Sequence, residues 1–194
     1  MYVRDAKNRD EAWLLDHIEE MALDDVAFRS RDYVIAVDEE TNERAGFGRV
    51  RVHKTEDGDH CELTGVGVLP AWRDQGVGAH VVERLVETAA AEEFDTVYSV
   101  TDRPNYLVQF GFDPVESDAL PERMRERLAE KRESVQPDAV ATRLRVDAFE
   151  MPARLREAFK NASPHEAGAE SSEADAEDFG IDPESATYKY DTGR

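Results

Sequence analysis

Residues 61–79 have the pattern of an apolar strand, a tight loop and the start of a helix, and the loop has the residue types of an anion site. Gly76 and Gly78 let a ligand approach the backbone closely, because glycine has no Cβ. The free N–H groups of a first helical turn face outward with the positive end of the helix dipole, which attracts phosphate. Arg73 adds a positive side chain three residues before Gly76. The pattern Arg73-x-x-Gly76-x-Gly78 therefore predicts a pyrophosphate site.

Two better-known phosphate loops are excluded. The sequence has no Gly-x-x-x-x-Gly-Lys-Ser/Thr, and no Gly-x-Gly-x-x-Gly at a strand-to-helix turn. A nucleoside triphosphatase and a Rossmann dinucleotide site are therefore not indicated. The remaining alternative is that the two glycines only make a turn.

The periodicity of apolar residues predicts the elements that must position this loop. Strands are expected at residues 2–4, 33–37, 45–52, 60–69, 96–100, 112–115 and 139–146. Helices are expected at residues 9–23, 76–92, 104–110, 121–132 and 152–160. This order predicts a mixed sheet with helices on both sides, within the α/β (α+β mixed) class.

Length and charge limit the classes of protein to consider. The 194 residues can bury one sizeable core. We expect a catalytic domain at 1–150, a C-terminal helix at 151–160 and an acidic, disordered tail at 161–194, whose end could instead dock. The net charge of −20 argues against nucleic acid or an anionic membrane as partner. The chain shows no signal peptide and no long apolar run, so we expect a cytoplasmic protein, with a halophilic surface typical of an acidic proteome.

The loop resembles the pyrophosphate signature of the GNAT acetyltransferase superfamily, Arg/Gln-x-x-Gly-x-Gly/Ala after an apolar strand. Tyr106-Leu-Val-Gln-Phe-Gly-Phe112 is similar to the second family signature, an aromatic pair followed by x-x-x-Gly-Phe. With the element order, the resemblance covers about residues 2–147. The motifs are most similar to those of the acetyltransferase domain of N-acetylglutamate synthases. The implied sheet is mostly antiparallel.

The resemblance implies acetyl-CoA as cosubstrate and no metal. Pantetheine would pair with the fourth strand where it splays from the fifth, and the Val68 N–H would polarise the thioester carbonyl. Gly65 and Gly67 fit a bulged strand, or else are weak points in an ordinary one. The implied cofactor-binding residues are Val66, Gly67, Val68, Arg73, Asp74, Gln75, Gly76, Val77, Gly78 and Ala79.

Two residues are candidates for catalysis. An amine acceptor is mostly ammonium at pH 7 and must lose a proton before it attacks a thioester. The resemblance implies Glu62 as the general base, and the alternative is a surface carboxylate. Tyr106 could protonate the departing thiolate, but the usual family tyrosine position holds Leu107, and an aromatic at this place is more often a core residue.

Other charged residues carry less information. His60, Cys61 and Glu62 alternate between strand faces and cannot jointly bind one metal ion. The remaining histidines are interpreted as surface or helix residues, and the charged helix at 121–132 as a solvated face.

The preferred function is acetyl transfer to an amine of a small metabolite or amino acid, by direct attack in a ternary complex. A non-catalytic acyl-CoA-binding sensor stays open, and a homodimer is compatible with the sequence.

Overall fold

The computed structural model describes residues 1–24, 26–134 and 136–165. The strands are β1 Tyr2–Asp5, β2 Tyr33–Val37, β3 Arg44–His53, β4 His60–Val68, β5 Thr96–Thr101, β6 Asp113–Val115 and β7 Val140–Arg145. The helices are α1 Glu11–Glu20, α2 Val77–Ala91, α3 Pro104–Val108, α4 Glu122–Glu133 and α5 Ala153–Lys160. Most of the tail predicted at 161–194, including the end that could dock, lies outside the described residues.

The strands form one seven-stranded sheet in the order β1-β2-β3-β4-β5-β7-β6. The β4–β5 pair is parallel, and the other neighbouring pairs are antiparallel. Helices cover both faces, so the predicted mixed α/β fold with a mostly antiparallel sheet is confirmed. None of the described helices is long and apolar enough to cross a membrane.

Alternation of side chains along the strands divides the core between the two faces. Val34 and Ala36 pack against α2 and α5 on one face. Ile35 packs against α1 on the other face, and Val100 packs against α4. On the face that α1 and α4 cover, the core is therefore divided into two clusters, one on each side of β4.

The β4 strand leaves β5 soon after it begins. The two strands pair only at Cys61–Val97 and Glu62–Tyr98. On the β3 side, Arg49 faces Thr64 but Phe47 faces Gly67, so β4 carries a bulge between these pairs. Gly65 in the bulge has φ +59°, which glycine tolerates best. The expected bulge is confirmed, and it bends β4 where the strands splay.

Candidate functional site

The loop between β4 and α2 holds a row of main-chain donors. From Asp74 to Ala79, six successive N–H groups donate to no acceptor within residues 1–24, 26–134 and 136–165. His80 supplies the next N–H, which donates to Gly76 O at 3.1 Å. Gly76 caps α2 with φ +73°, and Asp74 also has a positive φ, +59°. Unpaired N–H groups at the positive end of a helix suit an anion such as a diphosphate.

The side chains of this loop add little net charge. Arg73 and Asp74 are both exposed, and Arg73 Nε donates to Val68 O at 3.3 Å. Gln75 is half-buried, whereas residues 76–79 are buried. Because Arg73 and Asp74 offset each other, the main-chain groups supply most of the attraction for an anion.

Tyr106 reaches the same end of α2 from α3. Its hydroxyl lies 2.8 Å from the position that a Cβ on Gly78 would take, and Val68 Cγ2 lies 3.3 Å from that position. Leu107, one residue later, is buried in the core. The fold therefore brings the end of β4, the first turn of α2 and a phenol together.

Glu62 lies in a buried charge cluster, which contradicts its interpretation as a surface carboxylate. Its side chain is 0% exposed. Arg127 Nε donates to Glu62 Oε2 at 3.0 Å, and Lys131 Nζ lies 3.6 Å from Oε1. His53 Nε2 lies 2.7 Å from Oε2. Arg123 Nε donates to His53 Nδ1 at 3.3 Å, so Nε2 carries the His53 proton and donates it to Glu62.

These partners change the acidity of Glu62. Burial alone would raise its pKa, but the His53 hydrogen bond and the charges of Lys131 and Arg127 outweigh burial and lower the pKa to about 2. Burial lowers the pKa of Lys131, and the nearby Glu62 carboxylate opposes that effect. A carboxylate so acidic and so enclosed is a weak base. The geometry therefore argues against Glu62 as the direct general base. That role of Glu62 stays an untested prediction.

The prediction of a solvated face on α4 is wrong for two of its cations. Arg127 and Lys131 are 2% and 4% exposed, and they lie one helical turn apart on the side facing the sheet. The interpretation of His53 as a surface or helix residue is also wrong, because His53 lies on β3 and is buried. The four-residue spacing of Arg127 and Lys131 was a signal of burial in the sequence, because it places both cations on the helix face that also holds Met124 and Leu128.

Lys131 also connects the two splayed strands. Its Nζ donates to Thr64 Oγ1 of β4 at 2.9 Å and to Val100 O of β5 at 2.8 Å. On the opposite face, Ser99 Oγ donates to Leu63 O at 2.8 Å. Side-chain hydrogen bonds therefore connect β4 and β5 at the point where their backbone hydrogen bonds end.

Arg51 is a cation of this face whose partners are incomplete. Arg51 lies opposite Glu62 in the β3–β4 register, yet its buried Nη1 has no hydrogen-bond partner in the described part of the chain. Burial and then Arg127 lower its pKa, while Glu62 and Asp24 oppose them. Neighbouring Arg49 instead donates to Val26 O at 2.8 Å and Ala27 O at 2.5 Å, tying down the loop after α1. Sequence reasoning missed Arg51, although an arginine between the apolar residues Val50 and Val52 was a signal.

Among the described residues, no three His, Cys, Asp or Glu side chains are grouped so that they could hold a metal ion.

Solved structures of similar fold come from several organisms. N-acetylglutamate synthase from Neisseria gonorrhoeae, complexed with coenzyme A and N-acetyl-glutamate, has a TM-score of 0.59 and 17% identity over 74% of this chain and 34% of that chain. Rv2747 from Mycobacterium tuberculosis, in complex with CoA and NLQ, has a TM-score of 0.59 and 16% identity over 75% of this chain and 99% of that chain. Naa20 from Chaetomium thermophilum, in complex with a bisubstrate analogue, has a TM-score of 0.53 and 17% identity over 76% of this chain and 88% of that chain.

The likeness at these identities concerns the fold, and this chain spans about a third of the Neisseria protein. The family model provides the assignment. Residues 2–112, more than half of the chain, match the model described as "Acetyltransferase (GNAT) family". That region includes the bulged β4, the donor-rich loop and Tyr106, and the chain therefore belongs to the GNAT acetyltransferase family.

Proposed function

We propose that this protein transfers an acetyl group from acetyl-CoA to the amine of an amino acid or a similar small metabolite, by direct attack in a ternary complex. The observation that carries the proposal is the row of six N–H donors from Asp74 to Ala79 beside the splayed edge of β4. The Neisseria and Mycobacterium proteins of similar fold are both complexed with coenzyme A. A diphosphate and an extended amide chain are the two chemical parts of coenzyme A that such a loop and such an edge can bind.

The cofactor would bind along β4 and the first turn of α2. The N–H groups of residues 74–79 and the exposed Arg73 would bind the pyrophosphate. In the described structure, no residue of β4 after Glu62 pairs with β5. Val66, Gly67 and Val68 would therefore pair with pantetheine. The Val68 N–H would then stabilise the negative charge that develops on the thioester oxygen.

Acetyl transfer requires proton movements at the acceptor nitrogen and at the sulfur. The acceptor ammonium first loses one proton to solvent, and the free amine nitrogen forms a bond to the acetyl carbon. As the C–S bond breaks and its electron pair goes to sulfur, the nitrogen loses its second proton, so the products are an amide and, once the thiolate is protonated, coenzyme A thiol. We propose that Tyr106 donates a proton or a hydrogen bond to that sulfur, because its hydroxyl lies at the junction of Val68 and Gly78. Glu62 would influence the acceptor only indirectly, through the charged side chains that surround Glu62.

Arg51 is the residue that we expect to recognise the acceptor. A half-buried guanidinium whose Nη1 has no hydrogen-bond partner among the described residues is energetically unfavourable until an anion binds it. A carboxylate pairs with arginine through two parallel hydrogen bonds. The Neisseria protein of similar fold is complexed with N-acetyl-glutamate, an amino-acid derivative that carries carboxylates. An α-amino acid is therefore the acceptor class that we propose.

Replacing Arg51 by Met is expected to raise the KM of an amino-acid acceptor by roughly 10- to 100-fold, because a charge-assisted hydrogen bond of about 1.5–3 kcal/mol is lost. The KM of acetyl-CoA and the turnover of amines without a carboxylate should not change. Steady-state kinetics with matched acceptors, an amino acid and its decarboxylated amine, would measure this. Arg145→Met, at a side chain that is 72% exposed, is the control. An equal loss with both acceptors would contradict carboxylate binding by Arg51.

A thiol-release assay tests the proposed function itself. Acetyl-CoA is incubated with a panel of amino acids, polyamines and peptides at low and high salt, and free thiol and acetylated product are measured. We expect release that depends on an amino acid. Coenzyme A binding without release for every acceptor would instead support a non-catalytic acyl-CoA sensor.

We further propose that the protein works in a salt-rich cytoplasm, because its net charge is −20. Salt screens repulsion among surface carboxylates, and the Debye length falls to about 3 Å at 1 M. The melting temperature and the rate of acetyl transfer should both rise between about 0.1 and 2 M KCl. Full activity in dilute buffer, with no gain at molar salt, would rule this out.

A further inference from the structure

The last described helix, α5, lies outside residues 2–112 that match the family model, yet it packs on the donor-rich loop. A Cβ on Gly76 would lie 2.3 Å from Leu155 O and 3.2 Å from Phe159 N, so the loop backbone lies directly against the α5 backbone. Beyond the helix, Ser163 N–H donates to Gln75 Oε1 at 2.9 Å. The contact thus involves both Gln75 and Gly76 of the loop.

His80 connects the loop to the side chains of α5. Its ring stacks on Phe159, with centroids 3.8 Å apart and planes 9° apart. On the other side, His80 Nδ1 lies 2.9 Å from Gly76 O, a carbonyl that can only accept, so Nδ1 donates. Phe159 therefore positions the ring that is hydrogen-bonded to the helix cap.

The loop needs such support because Asp74 has an unfavourable backbone conformation and the main-chain donors are unpaired within the described residues. Asp74 and Gly76 both have positive φ, and the N–H groups of residues 74–79 have no acceptor in the described part of the chain. A non-glycine residue in this region, such as Asp74, persists only where surrounding structure holds it. The α5 helix has eight residues and two buried side chains, Leu155 and Phe159. A helix this short depends on packing to form, so loss of Phe159 should release it from the loop.

We propose that α5 is a working part of the cofactor site, with Phe159 as a positioning residue that holds the pyrophosphate loop in its binding conformation through His80 and Gly76. Cofactor binding and α5 docking are then coupled equilibria, and each stabilises the other. If α5 is released, only a fraction of molecules has a competent loop, and the apparent Kd rises by the inverse of that fraction. The inference rests on the proposed function only in taking coenzyme A as the ligand of the loop.

The test measures coenzyme A binding to the full-length chain by titration calorimetry. Phe159→Ala is expected to raise the Kd about tenfold, and Phe159→Tyr, which keeps the stacked ring, should restore it to within about twofold of the wild type. The matched control is Phe94→Ala, which truncates the same side chain in the same apolar cluster at the far end of α2. Its Kd should stay within about twofold of the wild type.

A second measurement needs no variant. In the wild-type chain, saturating coenzyme A should slow hydrogen exchange of the α5 amides, because the coupling is reciprocal. Unchanged α5 exchange, or a folded Phe159→Ala protein that binds as tightly as the wild type, would overturn the inference. Failure of the wild type itself to bind coenzyme A would instead refute the proposed function.

Discussion

Replacing Glu62 by Gln is expected to reduce the free energy of unfolding by about 3–5 kcal/mol, because it leaves buried cations without their counter-charge. Arg127 and Lys131 both lie within 3.6 Å of this carboxylate, and a neutral amide cannot offset them. For a domain of this size, the melting temperature should fall by roughly 10 °C. Denaturant unfolding followed by circular dichroism would measure the change. A loss of unfolding free energy below about 1 kcal/mol would contradict the role of Glu62 as a charge anchor, the carboxylate that balances the buried charges of Arg127 and Lys131.

The same variant has a defined pH dependence. The folded pKa of Glu62, about 2, lies below its ordinary value of 4.5. A group with a lowered pKa stabilises the fold above its unfolded pKa, and this contribution is lost as the pH falls through the folded pKa. Glu62 should therefore contribute about 3 kcal/mol near pH 7, lost between about pH 4.5 and 2. In Glu62→Gln the unfolding free energy should vary less across that window, whereas Asp10, also with a lowered pKa, contributes in both proteins.

A double variant separates charge compensation from catalysis. If Glu62 balances Lys131, Glu62→Gln/Lys131→Met should be less destabilised than the sum of the single variants, by about 1–3 kcal/mol. Turnover per folded molecule then tests the predicted base. A base would lose its limb of the pH–rate profile on change to Gln, whereas a charge anchor would keep the profile shape. Strict additivity of the two stabilities would contradict direct coupling.

Replacing Gly76 by Ala should raise the Kd of coenzyme A at least 30-fold and reduce the free energy of unfolding by about 2–4 kcal/mol. The φ of +73° disfavours any residue with a Cβ. In addition, the new methyl would lie 2.3 Å from Leu155 O, a main-chain atom that cannot rotate away. Either the loop or α5 must move, and the row of donors loses its alignment. Calorimetry with coenzyme A and thermal unfolding would measure the two effects.

Gly58→Ala is the control for Gly76→Ala. Gly58 also has a positive φ, +127°, but a Cβ there meets nothing within 4 Å, and the residue lies in the turn between β3 and β4. The Gly58→Ala protein should lose stability from backbone strain and keep its affinity for coenzyme A. If Gly76→Ala bound coenzyme A within about threefold of the wild type, the loop would not be the pyrophosphate site.

The sequence alone determined the order of the elements and the position of the donor-rich loop. Both depend on local information: apolar periodicity assigns each helix and strand its buried side, and Gly76 supplies the positive φ that the cap of α2 requires. The bulge at Gly65 could be predicted for the same reason. Such features depend on only a few neighbouring residues.

Only the tertiary structure decided what surrounds Glu62, Arg51 and Gly76. The partners of Glu62 come from His53 on β3 and from Arg127 and Lys131 on α4, more than 60 residues further along the chain. The contact of Leu155 with Gly76 spans a similar separation. Charge compensation and backbone contact at such distances depend on strand register and helix packing. A pattern of charges along one helix therefore could not distinguish a solvated face from a buried one.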